Sequence, residues 1–346
     1  MLPVGMLFSL VAAPAAQPEP VAAVRLDAAR REVVVTAGPF DVHAMPPGMT
    51  HEDMEMSDDH STPLIRFEWP VEGWFRGFAI EILDANGKPI GRRLVHHLIA
   101  INFDRRQLLY SAYERIFGAG QETEDAYVPK SIGVPMKAGT KLGMYLSWDN
   151  ETEKDIEGVQ VRLRLAYSPT NLSPRPRDAL PIYMDVNLTV GGDNEFDVPP
   201  GRSEKAWEFT PPVGGHILGV GGHLHDYGVS VRLEDAESGK VLTQIDAVRA
   251  PDGKIQKIGR RLFGVSGEGL RLKGGHRYRV VGTYDNPTGK LIKMGAMAHM
   301  VGLFVPDDYT RWPKLDLTDE TLQEDLAALN ELGRGDGDPK HGGHQH

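Results

Sequence analysis

The 346-residue sequence contains no cysteine. That excludes disulfides, thiolate metal sites, a cysteine nucleophile and lipid attachment through an N-terminal cysteine, and it leaves the compartment open. Basic residues are in deficit: 38 Lys and Arg stand against 48 Asp and Glu, a formal net charge of −10 at pH 7. Nucleic acids and anionic membrane surfaces both reward clustered Lys and Arg, so neither is expected as a partner. No apolar run spans a bilayer comfortably, which takes about 20 residues. Three catalytic signatures are also missing: a phosphate loop ending in Lys-Ser/Thr, a Gly-x-Ser-x-Gly elbow and a His-Glu-x-x-His zinc helix.

What is present reads as a folded, exported β protein. Hydrophobic content of 40% with 25% charged residues is globular. The length suits two domains of ordinary size. Residues 4–16 form an apolar run ending in the small-x-small pattern Ala13-Pro14-Ala15. This predicts a signal peptide over 1–16 and a periplasmic or secreted protein, although no Lys or Arg precedes the run. Val159–Leu165 and Val229–Leu233 alternate apolar with polar or charged residues, as half-buried strands do. Phe78–Ile82 leads into Asp84-Ala-Asn86-Gly87, where Asn-Gly supplies a tight turn. With 39 Gly and 25 Pro punctuating short apolar runs, the expected fold class is all-β: two tandem jelly-roll-like antiparallel β-sandwich domains with a short C-terminal helix.

The Pro-rich stretch from Ser168 to Arg177 marks the boundary. It predicts an N-terminal segment over 17–61, a first sandwich over 62–172, a second over 173–312 carrying a metal site, and a helix and tail over 313–346. Leu322, Leu326, Leu329 and Leu332 make one helical stripe stopped by Gly333, expected to pack on the second domain.

The chemistry concentrates in histidine and methionine. In His223-Leu224-His225, side chains two apart on a strand share a face, so both imidazoles can reach one metal. Met297 offers a thioether, a soft ligand that favours copper, Cu(I) in particular, over zinc or magnesium. Read alone, the pair is equally well two surface histidines on a glycine-flanked strand, and Met297 a core side chain. Asp226 could fix a histidine tautomer, and His299 shares a strand face with Met297 as a spare ligand. His96-His97 face opposite sides of a regular strand and share a metal only at a bulge or strand end. His216 and His276 read as structural. Residues 43–60 pack three His and four Met into 18 positions, and the tail adds His341, His344 and His346. Both could gather metal or be incidental polar segments.

His96-His97, then His223-Leu-His225, then Met297 about nine residues before Pro306 follow the order of the copper type II, ascorbate-dependent monooxygenases, the family of peptidylglycine α-hydroxylating and dopamine β-monooxygenases. The stretch from Val128 to Leu146 is similar too, and the resemblance covers residues 62–306. It implies two sandwiches, each with one copper, facing across an open cleft. One copper stores an electron; the other activates dioxygen to remove a hydrogen atom from the substrate. His223, His225 and Met297 match the oxygen-activating set, and His96 and His97 match two ligands of the storage site. The third storage ligand is expected where Trp148 stands, and an indole does not coordinate copper as an imidazole does. Asp149, one residue on, is a poor Cu(I) ligand. Gly221, His299 and Val301 replace the family's Arg, Asn and Tyr, and its disulfides are gone, so the animal enzymes' grip on substrate is not expected here.

Two functions follow. The first is an exported copper enzyme that uses His223, His225 and Met297 to hydroxylate an unknown small substrate, with electrons from a reductant such as ascorbate. The second is a non-catalytic copper-binding, storage or delivery protein on the same scaffold, with a copper donor or acceptor protein as partner.

Overall fold

A computed structural model of the chain describes residues 22–45, 61–191, 194–263 and 268–333. The predicted signal peptide, most of the Met/His-rich loop and the His-rich tail lie outside the described residues. The chain is all-β and builds two tandem antiparallel sandwiches.

In the first, one sheet runs in the order Ala23–Asp27, Glu32–Val42, Ile156–Pro169, Gly73–Leu83, Ile132–Met136, Arg177–Asp178. The facing sheet runs Ile65–Glu68, Lys141–Trp148, Val95–Arg106, Tyr113–Ala119. Alternating residues of both sheets, among them Val35, Ile80, Leu98, Met144 and Leu163, fill the core between them. The strand of the Val159–Leu165 alternation buries Val159, Val161, Leu163 and Leu165 completely or nearly so. The Asn-Gly turn forms as expected, with Gly87 at φ 77°.

The second sandwich pairs Leu180–Asp185, Ala298–Pro306, Gly215–Leu224 and Arg260–Leu262 in one sheet. The other holds Gly201–Phe209, Tyr278–Asn286, Gly228–Asp235, Val241–Arg249 and Ile255–Ile258. Ile182, Val220, Val231, Val280 and Phe304 belong to the core they enclose. The short strand Arg177–Asp178, within the Pro-rich boundary, adds in parallel to Ile132–Met136 of the first sandwich before the chain enters the second.

Two expectations are corrected. The first sandwich begins well before residue 62, because Glu32–Val42 runs along Ile156–Pro169 and buries Val33, Val35 and Ala37 in the same core. The helix Glu320–Glu331 packs on the first sandwich, not the second. Its Leu322 and Leu329 close over Ile101, Phe103 and Tyr113, and Asp325 takes both terminal nitrogens of Arg115 at 2.7 and 2.6 Å. Gly333, at φ 64°, ends this segment where any Cβ would overlap Pro63. Among the described residues no helix is long and apolar enough to cross a membrane.

Candidate metal centre

His96 and His97 stand at the start of Val95–Arg106. Pairing with Lys141–Trp148 slips between Val95 and His97: Val95 lies opposite Trp148, and His97 opposite Ser147. His96 is the extra residue of this bulge, which lets adjacent imidazoles lie 4.1 Å apart, centroid to centroid, instead of on opposite faces. His223 and His225 stand at the end of the strand Gly215–Leu224 and just beyond it. Regular pairing there sets His223 opposite His299. The His225 N–H donates to the Met297 carbonyl at 3.4 Å, so Met297 lies opposite His225. The Tyr284 hydroxyl pins the same corner, accepting from His225 N at 3.1 Å and donating to Met297 O at 2.5 Å.

The two halves converge. His97 Nε2 lies 3.0 Å from His223 Nε2 and 3.1 Å from His225 Nε2. Ligand nitrogens of His96, His97 and His225 all fall within 4.8 Å of one another. The family's two separate sites across an open cleft are therefore not what these side chains form. The bulge carries His97 between the two imidazoles of the second sandwich, and the four rings make one cluster. Trp148 takes no part: it is buried in the first core against Phe40, ring centroids 5.7 Å apart. Asp149 lies outside the cluster and donates its backbone N–H to the Leu94 carbonyl.

One carboxylate orients a ring from behind, and a second lies near the other. His223 Nδ1 is 2.8 Å from Glu122 Oε1, and His225 Nδ1 is 3.6 Å from Glu195 Oε1. An Nδ1–H held by a carboxylate, as in His223, leaves the Nε2 lone pair free, and the Nε2 atoms of both His223 and His225 point at His97. That is the outer arrangement of metal-bound histidines. Asp226, the expected partner, instead accepts from Ile255 N at 2.8 Å. Neither glutamate was legible in the sequence: Glu122 sits in a turn of the first sandwich, 101 residues from the histidine it orients.

Electrostatics keep two of the buried imidazoles uncharged. Burial, then the neighbouring His96, His223 and His225, holds His97 well below its ordinary pKa; burial and His223 do the same to His299. Neutral imidazole is the ligating form. One His97 nitrogen faces two others at hydrogen-bond distance, and a single proton satisfies only one such contact, whereas a metal ion at their common point satisfies all the lone pairs. The donor set fits a transition metal. His299 stacks on His223 at 4.8 Å, with Nδ1 on the Tyr183 hydroxyl at 3.3 Å. His276 lies elsewhere, paired with Asp235 at 2.8 Å.

A cavity of about 230 Å³ opens beside the cluster, between the sandwiches. His97, His223 and His299 form part of its wall; Phe78, Phe117, Leu218, Val301 and other apolar side chains form most of the rest.

No protein-family model matches the chain, and no curated protein matches it. Solved structures with a partial likeness include the major capsid protein of Sulfolobus turreted icosahedral virus, at 9% identity and TM-score 0.39, covering 85% of this chain and 99% of that one. The major capsid protein P2 of bacteriophage PM2 aligns at 10% identity and TM-score 0.32, covering 80% of this chain and 98% of that one. PNGase F, a glycosylasparaginase from Flavobacterium meningosepticum, aligns at 10% identity and TM-score 0.37, covering 78% and 95%. Likenesses of this size carry no information about the site.

Proposed function

We propose that the protein is an exported copper-dependent oxidoreductase with one metal centre between its sandwiches, oxidising a small, largely apolar substrate held in the adjoining cavity. The observation that carries this reading is the approach of the His97, His223 and His225 Nε2 atoms, with Glu122 behind His223, at the wall of that cavity. His96, His97, His223 and His225 would hold the ion. Imidazole suits copper, zinc, iron and nickel alike, and Met297, opposite His225, tilts the choice to copper. Bound there, copper would supply one-electron chemistry and, with dioxygen and a reductant such as ascorbate, hydroxylation of a substrate C–H bond. The chain's own residues hold imidazoles toward one point, His97 kept neutral by burial, fix the tautomer of His223 through Glu122, and line the substrate space with apolar side chains. The resemblance to the copper type II monooxygenases supports the redox reading, with one shared site in place of two.

Elemental analysis of the full chain, loaded with copper and dialysed, tests it. One copper per chain, lost in His97→Ala and in His223→Ala, is expected, with ascorbate-dependent oxygen uptake. Two coppers per chain, or zinc retained against competing copper, would overturn it. A second reading, a non-catalytic copper carrier or store, is favoured by the number of imidazoles, since all four on one ion would crowd the position dioxygen needs, whereas the first reading requires one coordination position left open. Copper retention with no oxygen uptake would select it.

A further inference from the structure

A line of aromatic rings runs from the cluster to the surface of the second sandwich. His223 stacks on His299 at 4.8 Å, and His299 meets Tyr183 at 4.9 Å. Tyr183 lies 6.1 Å from Tyr110, and Tyr110 stacks on Trp207 at 4.8 Å with the planes 21° apart. The rings come from both halves: Tyr183 from the strand Leu180–Asp185, Tyr110 from a loop of the first sandwich, Trp207 from the edge strand Gly201–Phe209. Of the five tryptophans, Trp69, Trp74, Trp148 and Trp312 are buried, and Trp207 alone is partly exposed.

Packing explains why these positions are aromatic but not why they carry hydroxyls. Phenylalanine would fill the same space without a polar group to desolvate. Both hydroxyls instead close on one residue. Tyr183 donates to Asp185 Oδ2 at 2.6 Å, while Tyr110 accepts from Asp185 N at 2.9 Å and donates to Asp185 O at 3.3 Å. Phenol and indole are the side chains, apart from thiols and thioethers, that yield an electron most readily. A phenol does so by releasing its proton as well, and Tyr183 has a carboxylate placed to take it.

We propose that Tyr183, Tyr110 and Trp207 form an electron relay that drains oxidising equivalents from the histidine cluster to the surface when peroxide reacts there with no substrate in the cavity. The inference rests on the copper reading of the cluster. Reduction of peroxide to two water molecules takes two electrons and two protons: the reduced metal supplies one electron, Tyr183 the other, and solvent the protons. Tyr183 passes its phenolic proton to Asp185 as its electron leaves by way of His299 and His223. An electron from Trp207 crosses the Tyr110 ring to refill Tyr183, and Asp185 returns the proton. The indole radical cation left at Trp207 takes one electron from a small one-electron reductant in solution. The polypeptide ends unchanged and the ligand histidines are spared; the ion would be left one electron more oxidised until a second equivalent of the same reductant re-reduces it.

The connectivity is tested on the metal-free full chain. Flash photo-oxidation of exposed tryptophan by a soluble photo-oxidant runs the same path in reverse: the indole radical absorption should decay partly into that of a tyrosyl radical, the two radicals sharing the hole. In the double variant Tyr110→Phe/Tyr183→Phe, which keeps both rings and removes both phenols, the indole signal should persist. An unchanged handover in that variant would overturn the relay. The second arm mixes copper(I)-loaded protein with hydrogen peroxide in the absence of substrate and maps oxidised residues by mass spectrometry. Wild type should oxidise Trp207 and spare His223 and His225; Tyr183→Phe should oxidise those histidines several-fold more. Equal histidine damage in the two proteins would also sink the relay. Copper content, measured before peroxide is added, reports separately on the metal site, so loss of copper counts against that reading while the metal-free arm still decides the relay.

Discussion

Glu122 decides which nitrogen of His223 is available. Its hydrogen bond to Nδ1 leaves the Nε2 lone pair free, so the carboxylate would act on a bound metal through the ring. Glu122→Ala should weaken copper binding roughly 10–100-fold in a chelator competition, the usual effect of removing such a partner. Unchanged affinity would mean that His223 is oriented by its strand alone. Gly120 supports the same contact: a Cβ there would strike the Glu122 carboxylate and the His96 carbonyl, so Gly120→Ala should weaken binding in the same direction. Asp149 behaves differently. Burial, reinforced by Glu151 and opposed by Lys254, raises its carboxyl from 3.8 to about 6, and one carboxylate oxygen has no hydrogen-bond partner among the described residues. A carboxyl with a folded-state pKa above its unfolded value costs stability once ionised, so stability falls as pH rises from about 4 to about 6. Asp149→Asn should abolish that fall, a gain of roughly 1 kcal/mol at neutral pH after discounting for solvent screening of a partly exposed group. Urea unfolding of both proteins at pH 4 and pH 7 checks it; equal pH slopes would show that Asp149 titrates normally.

Elements were legible where burial is one-sided. A half-buried strand writes its period of two into the sequence, which is why Val159–Leu165 could be read directly. Val229–Leu233 and His223–His225 also lie on or at the end of strands, but there both faces are covered, with Ser230 and Leu224 buried as well. The leucine stripe likewise fixed a helix close to Glu320–Glu331. Its docking face was not legible, because a stripe states that something is covered without stating what. The decisive group is polar: Asp325, buried under the helix, accepts from Tyr113 N at 2.8 Å as well as from Arg115. Asp325→Ala would strand the largely buried Arg115 guanidinium and should cost about 3–5 kcal/mol in denaturant unfolding. A loss below about 1 kcal/mol, the usual value of an exposed pair, would mean that the helix docks through its leucines alone. The bulge at His96 is the opposite case, since nothing in Leu94-Val-His-His-Leu announces the register slip that brings His96 and His97 to one site.

At the scale of the whole molecule, the ligand residues could be found in the sequence but their assembly could not. Which imidazoles meet depends on how two sandwiches sit against each other, and His97 reaches His223 across 126 residues of chain. Reading each half by itself therefore divides the histidines into two sets, whereas the structure joins them. That difference has a thermodynamic consequence. The ion pairs that also cross the interface, Lys257 with Glu124 and Lys254 with Glu151, are exposed and worth little. On the proposed reading, a metal held by both halves would be a far stronger tie. An ion that binds only the native state adds RT ln(1 + [L]/Kd) to stability, about 2.7 kcal/mol when free copper is 100 times Kd. Denaturant unfolding with and without copper should show that increment in wild type, and His97→Ala should lose most of it. If His223, His225 and Met297 alone held the ion within the second sandwich, His97→Ala would keep the full increment. The size of the copper shift in that one variant separates a site shared between the sandwiches from a site belonging to one of them.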